Sequence, residues 1–271
     1  MTDAAWLNVF HEISAAIRAH TAKLFGTEGG RRELEVGAGG DTTVEIDRAA
    51  EEAALAILQR VHRGGDRFSL LSEEAGMIDF GAEYPLVILD PIDGSLNAKQ
   101  GIPLVGVVLS LVEGPTVGGL RAGHVLNVVT GDYFDAVRGA GASHNGRDLK
   151  TLTARPSQRI ELLGLESSPR SLKRASSLVE RAAKIRILGS MALSIAHTAT
   201  GGFNVFCSPI QARVFDMTAS LLVVRESGGV ATDMAGKSLD GLEVGLKTRS
   251  TLLVASDAAM HEQALRILNG G

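Results

Sequence analysis

The chain has 271 residues, of which 45% are hydrophobic and 21% charged, a balance that predicts a folded protein with a sizeable core and excludes wholesale disorder. Its 27 Lys and Arg residues against 31 Asp and Glu give a net charge of −4, so we expect no broad basic surface for a nucleic-acid backbone. The single cysteine, Cys207, excludes an internal disulfide framework and cysteine-based zinc or iron–sulfur sites.

The N-terminal half begins with two predicted amphipathic helices. The first carries apolar residues at helical spacing, namely Trp6, Phe10, Ile13, Ile17 and Leu24. The second is expected over residues 47–61, with Gly64 and Gly65 at its end. Short apolar, β-branched runs then predict a meandering sheet with strands at residues 86–89, 104–109, 120–129 and 133–137. Asn145-Gly146 predicts a tight turn.

The C-terminal half predicts an alternation of strands and helices, which favours a sheet covered by helices. We expect strands at residues 160–165, 185–188, 203–207 and 251–255, and helices at residues 190–200 and 215–227. A final helix through Leu268 is capped by Ser256 or Asp257. The change of pattern predicts an N-terminal α+β lobe over residues 1–150 and a C-terminal α/β lobe over 151–271, forming one structural unit.

No segment is typical of a secretory signal or a membrane span. The N-terminus carries Asp3 before a helical pattern, unlike the cationic start of a signal peptide. The most apolar run, residues 104–112, has about half of the roughly 20 residues that a membrane helix needs. We therefore expect a cytoplasmic protein whose partners include neither membranes nor nucleic acids.

The segment from residue 89 to residue 97, Leu-Asp-Pro-Ile-Asp-Gly-Ser-Leu-Asn, predicts a ligand site. A strand ends at Asp90, and Asp93 follows in a tight bend that lets the two carboxylates converge while the Ile92 carbonyl turns inward. Gly94 lets the backbone approach a ligand closely. If a helix begins there, the amides of Gly94 and Ser95 point at an anion.

Two further acidic segments strengthen this interpretation. Glu73 and Glu74 follow an apolar run, and Asp216 stands at a predicted helix start among apolar residues. Taken singly, such acids are most often helix caps, as for Asp216 or Asp47, or a solvated pair, as for Glu73 and Glu74. Together with residues 89–97 they favour a metal site, because buried carboxylates need cations. Oxygen ligands without His or Cys suit Mg²⁺.

These motifs resemble the magnesium-dependent, lithium-sensitive phosphatases that include inositol monophosphatase and fructose-1,6-bisphosphatase. Residues 90–97 match that family's signature Asp-Pro-Ile-Asp-Gly-(Ser/Thr)-x-Asn without a gap, and further similar segments are residues 39–47, 72–74, 189–192 and 215–229. The resemblance implies a layered α/β/α/β/α sandwich, often a homodimer, with its site between the two lobes.

The resemblance also implies roles for individual residues. One Mg²⁺ would be held by Glu73, Asp90 and the Ile92 carbonyl, a second by Asp90, Asp93 and Asp216, and a weaker third near Glu73. Lithium inhibition is expected. The predicted catalytic residues are Asp47, Ser95 and Glu73, of which Asp47 and Ser95 resemble the acid–hydroxyl pair that orients the attacking water. The predicted substrate contacts are Asp93, Gly94, Ser95, Ser190, Met191 and Arg213.

Departures from the family pattern bear on the substrate. Ser95 stands where many relatives have Thr, and Phe215 replaces the usual Trp. Residues 207–213 lack the Glu with which inositol-preferring enzymes contact the inositol hydroxyls, whereas residues 97–103 look more like the archaeal-type dual enzymes. Arg213 is the preferred contact for a second phosphate, because guanidinium suits bidentate phosphate binding. Three less favoured contacts are Arg170, Lys173 and Arg186.

The expected function is hydrolysis of small phosphate monoesters by a water molecule activated at Mg²⁺, with inositol-1-phosphate, fructose 1,6-bisphosphate or both as substrates. One alternative is a 3′-phosphatase for adenosine 3′,5′-bisphosphate, which the 4% aromatic content weakly disfavours because few rings are available to stack on adenine. The other is a catalytically silent regulator that binds a sugar phosphate, which the retained acids disfavour.

Overall fold

The computed structural model describes residues 1–40, 42–151 and 159–270. The α-helices are α1 Asp3–Thr21, α2 Glu45–Arg63, α3 Ser95–Gln100, α4 Ser176–Arg181, α5 Met191–Ala199, α6 Thr218–Ser227 and α7 Ala258–Leu268. The strands are β1 Glu33–Val36, β2 Thr42–Val44, β3 Phe68–Ser72, β4 Gly76–Asp93, β5 Gly106–Val112, β6 Leu120–Asn127, β7 Tyr133–Val137, β8 Gly141–His144, β9 Arg147–Asp148, β10 Leu162–Leu165, β11 Lys184–Arg186, β12 Val205–Arg213, β13 Val230–Thr232 and β14 Arg249–Ala255. None of the described helices is both long and apolar enough to cross a bilayer.

Two large sheets form the framework. The first has seven strands in the order β3-β4-β5-β6-β7-β8-β9, and the second has five in the order β11-β10-β12-β14-β13. The long strand β4 passes β3 twice, so that Ser69 pairs with Asp79 in one stretch and with Leu86 in the other. Strands β1 and β2 form a separate small ribbon.

Alternating apolar residues divide the core into layers, because successive side chains of a strand point to opposite faces. In β5, Val107 and Leu109 pack in a cluster with residues of α1 and α2, whereas Val108 packs in a second cluster with α5 and α6. In β12, Phe206 belongs to that second cluster, and Cys207 joins a third with residues of α4 and α7. The order is therefore helices, sheet, helices, sheet, helices, and the predicted α/β/α/β/α sandwich is confirmed.

Most predicted elements appear close to their expected positions. Helix α2 begins at Glu45 rather than residue 47, and Asp257 caps α7 by accepting a hydrogen bond from the Met260 N–H at 2.8 Å. Asn145 and Gly146 have φ of 51° and 74°, as a two-residue turn with both central residues in the left-handed region requires. The division into lobes at residue 150 stays a prediction, although the strands of the two sheets lie on either side of it.

Strand β12 differs from its prediction in a way that matters for the site. Residues 203–207 were expected, but the strand runs from Val205 to Arg213 because its pairing with β14 resumes at Ala212 and Arg213 after an irregularity. Pro209 and the polar residues around it hide this continuation from a hydrophobicity pattern. The extension carries Arg213 to the acidic residues described below.

Candidate active site

The bend between β4 and α3 packs against the segment that precedes α5. Gly94 has φ of 96°, in the left-handed region, and α3 begins at the next residue, Ser95. A Cβ on Gly94 would lie 2.9 Å from the carbonyl oxygen of Gly189, just before α5, so only glycine fits. The sequence indicated a close approach at Gly94, and in the structure the approaching group is the Gly189 backbone.

Asp93 is buried and receives three hydrogen bonds from the start of α5. The Ser190 hydroxyl donates to Oδ2, the Met191 N–H to Oδ1 at 3.1 Å and the Ala192 N–H to Oδ2 at 2.8 Å. Burial raises the pKa of Asp93 to about 6, and these donors oppose the rise. Ser190 and Met191, predicted to contact substrate, therefore have the Asp93 carboxylate as their partner.

Asp90 and Glu73 lie side by side beneath the same bend. Asp90 is buried and its Oδ1 accepts a hydrogen bond from the Ile92 N–H at 3.0 Å. Burial raises the pKa of Asp90 well above its ordinary value, and repulsion from Glu73 and then from Asp216 adds to the rise. The pKa of Glu73 is also raised by burial, although Arg213 opposes this. The two acids therefore resist being charged together without a cation.

Arg213 joins Glu73 to Asp216. Its Nη2 lies 2.6 Å from Glu73 Oε1 and its Nε donates to Asp216 Oδ2 at 2.9 Å. Asp216 lies in a 3₁₀ turn before α6, and burial raises the pKa of Asp216 to about 6 although Arg213 opposes the rise. Its other oxygen, Oδ1, is buried and has no hydrogen-bond partner. An orphaned carboxylate oxygen of this kind calls for a ligand.

Asp47 and Ser95, the predicted pair for orienting water, both line the acidic cavity that is described in the next paragraph. Asp47 lies in the first turn of α2, where its Oδ2 accepts a hydrogen bond from the Val44 N–H at 3.0 Å, while its Oδ1 is buried without a partner. Burial, followed by repulsion from Glu74 and Glu73, raises the pKa of Asp47 to about 7. The Ser95 hydroxyl donates to the Ile92 carbonyl at 3.1 Å.

Most of these side chains line a cavity of about 420 Å³ with a strongly acidic lining, but Asp216, Ser190 and Met191 are not among its lining residues. The lining residues are Glu33, Thr42, Asp47, Glu73, Glu74, Asp90, Ile92, Asp93, Gly94, Ser95, Lys99 and Arg213. Six carboxylates thus face two cationic side chains. A larger cavity of about 710 Å³ elsewhere has Met77, Tyr84 and Pro115 in its lining and none of the predicted site residues. The acidic cavity is therefore the candidate active site despite its smaller size.

The structure adds lining residues that the sequence reasoning missed. Lys99 lies on α3 four residues after Ser95, a spacing that places two side chains on one helix face and could have indicated it. Glu33 and Thr42 come from the ribbon β1–β2, whose strands are too short and too polar for a periodic signal. Of the four basic residues considered as contacts for a second phosphate, only Arg213 is among the lining residues. Arg170, Lys173 and Arg186 are exposed and are not among them.

A glycine-rich segment covers the acidic residues. The Gly39 N–H donates to the Glu73 carbonyl at 2.7 Å and the Ala38 N–H to the Glu74 carbonyl at 3.0 Å. A Cβ on Gly39 would lie 3.0 Å from Arg213 Nη1, so the absence of a side chain gives the guanidinium room. This segment belongs to the motif at residues 39–47, of which Asp41 lies outside the described residues.

The donor set fits hard divalent cations. It offers carboxylate oxygens and a backbone carbonyl, the ligands that Mg²⁺ prefers. Its buried acids have raised pKa values, and Asp47 Oδ1 and Asp216 Oδ1 have no hydrogen-bond partner. Lys99 and Arg213 therefore do not fully compensate the negative charge of the carboxylates. A divalent cation would supply the missing compensation.

A second group of ionisable residues lies apart from this cavity. His11 on α1, His124 on β6 and Asp135 on β7 place ligand-type atoms within 4.8 Å of one another. Asp135 pairs with His11 at 2.8 Å and with His124 at 2.7 Å, and His124 Nε2 lies 2.8 Å from the Ser14 hydroxyl. The sequence indicated only scattered histidines. The hydrogen bonds among these residues form a network that links α1 to the first sheet, which gives the group a structural role.

Comparison with known proteins identifies consistent relatives. The sequence model of the inositol monophosphatase family matches residues 5–269. The chain is 30% identical over 274 residues to the fructose-1,6-bisphosphatase/inositol-1-monophosphatase of Methanothermobacter thermautotrophicus, covering 97% of this chain and 96% of that protein. It is 33% identical over 217 residues to the Nus factor SuhB of Pseudomonas aeruginosa, covering 76% of each.

Solved structures show the same fold. A structure described as an inositol monophosphatase–fructose 1,6-bisphosphatase superposes with a TM-score of 0.84 at 24% identity, covering 97% of this chain and 99% of that one. The extragenic suppressor protein SuhB of Bartonella henselae superposes with a TM-score of 0.80 at 26% identity, covering 98% and 99%.

Proposed function

The chain belongs to the inositol monophosphatase family and is a phosphoric monoester hydrolase, and on that premise we propose that Mg²⁺ is its cation and that inositol-1-phosphate and fructose 1,6-bisphosphate are its substrates. One observation carries this proposal. A cavity lined by six carboxylates and two cationic side chains repels a phosphate dianion unless divalent cations occupy it.

The proposed cation ligands are Glu73, Asp90, Asp93, Asp216 and the Ile92 carbonyl. Cations held by these residues would reduce the repulsion between a phosphate ester and its nucleophile, would make water more acidic and would stabilise the leaving alkoxide. The burial of these acids and the unpartnered Asp216 Oδ1 support the assignment. Two or three cations per site, and inhibition by lithium, are expected from the family resemblance.

Asp47 is the proposed general base. With a pKa raised to about 7, its carboxylate is a stronger base than an ordinary Asp and remains largely ionised at slightly alkaline pH. Its unpartnered Oδ1 would accept a proton from the attacking water as the water oxygen bonds to phosphorus and the bond from phosphorus to the sugar oxygen breaks. The sugar oxygen then takes a proton from solvent. Ser95 would orient the water together with Asp47.

The remaining proposed contacts hold the substrate. The backbone amides of Gly94 and Ser95 face the anion at the start of α3, and Asp93 accepts hydrogen bonds from substrate hydroxyls. Lys99 and Arg213 are the two cations in the cavity lining, and they are the proposed partners of the second phosphate of fructose 1,6-bisphosphate. Ser190 and Met191 contribute by fixing Asp93. A homodimer and a cytoplasmic location stay predictions from the sequence.

The test is a substrate panel with metal-stripped enzyme. Phosphate release is measured from inositol-1-phosphate, fructose 1,6-bisphosphate and adenosine 3′,5′-bisphosphate, without metal and with Mg²⁺ restored. We expect turnover of one or both of the first two, only with Mg²⁺, and its loss in Asp90→Asn. Turnover of the nucleotide alone would replace the proposed substrate class. Binding without turnover of any of the three would favour the regulator that the sequence left open.

A further inference from the structure

We propose that Arg213 is a built-in counter-ion that occupies the cation ligands Glu73 and Asp216 in the metal-free enzyme and must be displaced from them when a divalent cation binds. This inference rests on the proposed function, because it takes these acids to be the cation ligands. It assigns Arg213 a role as a positioning residue that lowers the metal affinity of the site and bridges Glu73 and Asp216 when no metal is bound.

The contacts of Arg213 are made to two of the carboxylates that are proposed as cation ligands. Its Nη2 and Nε reach oxygens of Glu73 and Asp216 at 2.6 and 2.9 Å, and the Arg213 side chain is only 14% exposed. A guanidinium presents its donors in a fixed planar fork, so it can bridge two carboxylates as a divalent cation does. A cation ligand cannot give the same lone pair to the guanidinium and to a metal at once.

Charge favours exchange once a divalent cation is present. Arg213 brings one positive charge to the four acids Glu73, Asp90, Asp93 and Asp216, and it leaves Asp216 Oδ1 without a partner. The guanidinium therefore compensates the cluster only in part. A divalent cation among the same oxygens supplies twice the charge, but a retained guanidinium would repel it at short range, which reduces metal affinity.

The backbone restricts the exchange to the side chain. Arg213 is the last residue of β12 and pairs with Arg249 of β14, and the next N–H, from Val214, donates to the Thr248 carbonyl at 3.0 Å. Gly39, whose missing Cβ leaves room beside Nη1, allows the guanidinium the position from which it contacts both acids. Because Glu73 follows β3 of the first sheet and Asp216 follows β12 of the second, Arg213 also links the two sheets when metal is absent.

The experiment compares the wild type with Arg213→Gln and a matched control, Arg174→Gln. The Arg174 side chain donates to the Pro209 carbonyl of β12 at 2.7 Å, so the control removes one guanidinium contact to the same strand, away from the acids. Two quantities are measured on metal-stripped protein, the dissociation constant for Mn²⁺ by electron paramagnetic resonance and the melting temperature without metal.

We expect Arg213→Gln to bind Mn²⁺ about tenfold more tightly or better, and to melt at least about 5 °C lower without metal, whereas Arg174→Gln binds Mn²⁺ within about twofold of the wild type. Arg213→Lys keeps the charge but not the fork, and it should bind Mn²⁺ with intermediate affinity. If Arg213→Gln does not fold without metal, the Mn²⁺ affinity of Arg213→Lys relative to the wild type decides whether the inference holds.

Unchanged or weaker Mn²⁺ binding in the Arg213 variants would overturn the inference while leaving the proposed function intact. If the wild type and every variant fail to bind Mn²⁺, the proposed function and the inference fall together. The two failures are therefore distinguishable.

Discussion

Asp47→Asn should stabilise the metal-free protein while it abolishes most of the activity. The Asp47 carboxylate is buried with Oδ1 unpartnered, and its pKa is raised from 3.8 to about 7. At about 1.4 kcal/mol per pKa unit, the ionised side chain lowers folding stability by about 4 kcal/mol at alkaline pH. Asparagine avoids that penalty, and its carbonyl oxygen can still accept the hydrogen bond from the Val44 N–H.

The sign of the pH dependence follows from linkage. Between about pH 4 and pH 7 the folded wild type retains a proton on Asp47 that the unfolded chain has lost, so stability falls as pH rises through this range. Asparagine does not titrate. The stability difference between Asp47→Asn and the wild type should therefore be near zero at pH 4 and grow to about 4 kcal/mol at pH 8.

Urea unfolding of metal-stripped protein at pH 4, 6 and 8 measures this difference directly. Asp79→Asn is the matched control, because Asp79 is an exposed acid that also accepts a hydrogen bond from a backbone N–H, that of Gly81. The stability of this control is measured at the same three pH values. With Mg²⁺ present, Asp47→Asn should release phosphate about 100- to 10,000-fold more slowly. A less stable Asp47→Asn at pH 8, or a difference independent of pH, would refute the reasoning.

Three other predictions concern Asp216, Glu51 and Cys207. Asp216→Asn should reduce phosphate release at least about 1,000-fold and shrink the rise in melting temperature on adding Mg²⁺; near-normal values of both would remove Asp216 from the ligand set. Metal-stripped wild type should lose stability from pH 5 to pH 8, because burial raises the pKa of Glu51 to about 7, like that of Asp47. Added Mg²⁺ should make stability depend less on pH. A metal-free protein whose stability rises with pH would contradict the account. Cys207 is buried and its pKa is raised to about 12 by burial, so a thiol reagent should label it only after unfolding, and rapid labelling of native protein would contradict the core packing.

The parts of the site encoded by neighbouring residues could be predicted from the sequence. Asp90, Asp93, Gly94 and Ser95 lie in one short bend, and their spacing indicated convergence. The layered sandwich was expected from the family resemblance, whereas the residues themselves predicted only its elements, such as a buried strand at the apolar run that includes Val107 and Val108.

Contacts between distant segments could not be predicted in this way. Arg213 meets Glu73 across 140 residues of chain, and a local pattern indicates the charge of Arg213 but not its partner. The phosphate contact of Arg213 stays a prediction, and the sequence did not indicate its ion pairs with Glu73 and Asp216. Likewise the helix start at Ser190 and Met191 predicts contact with an anion but does not say that the Asp93 carboxylate accepts hydrogen bonds there. Their contact with substrate stays a prediction.

Anomalous diffraction from crystals soaked with Mn²⁺, the probe ion for the Mg²⁺ site, would test the central proposal most directly. The proposal predicts at least one strong anomalous peak in the acidic cavity, within coordination distance of Glu73, Asp90 and Asp216, with Arg213 withdrawn from its two acids. Fully soaked crystals without a peak in that cavity would contradict it.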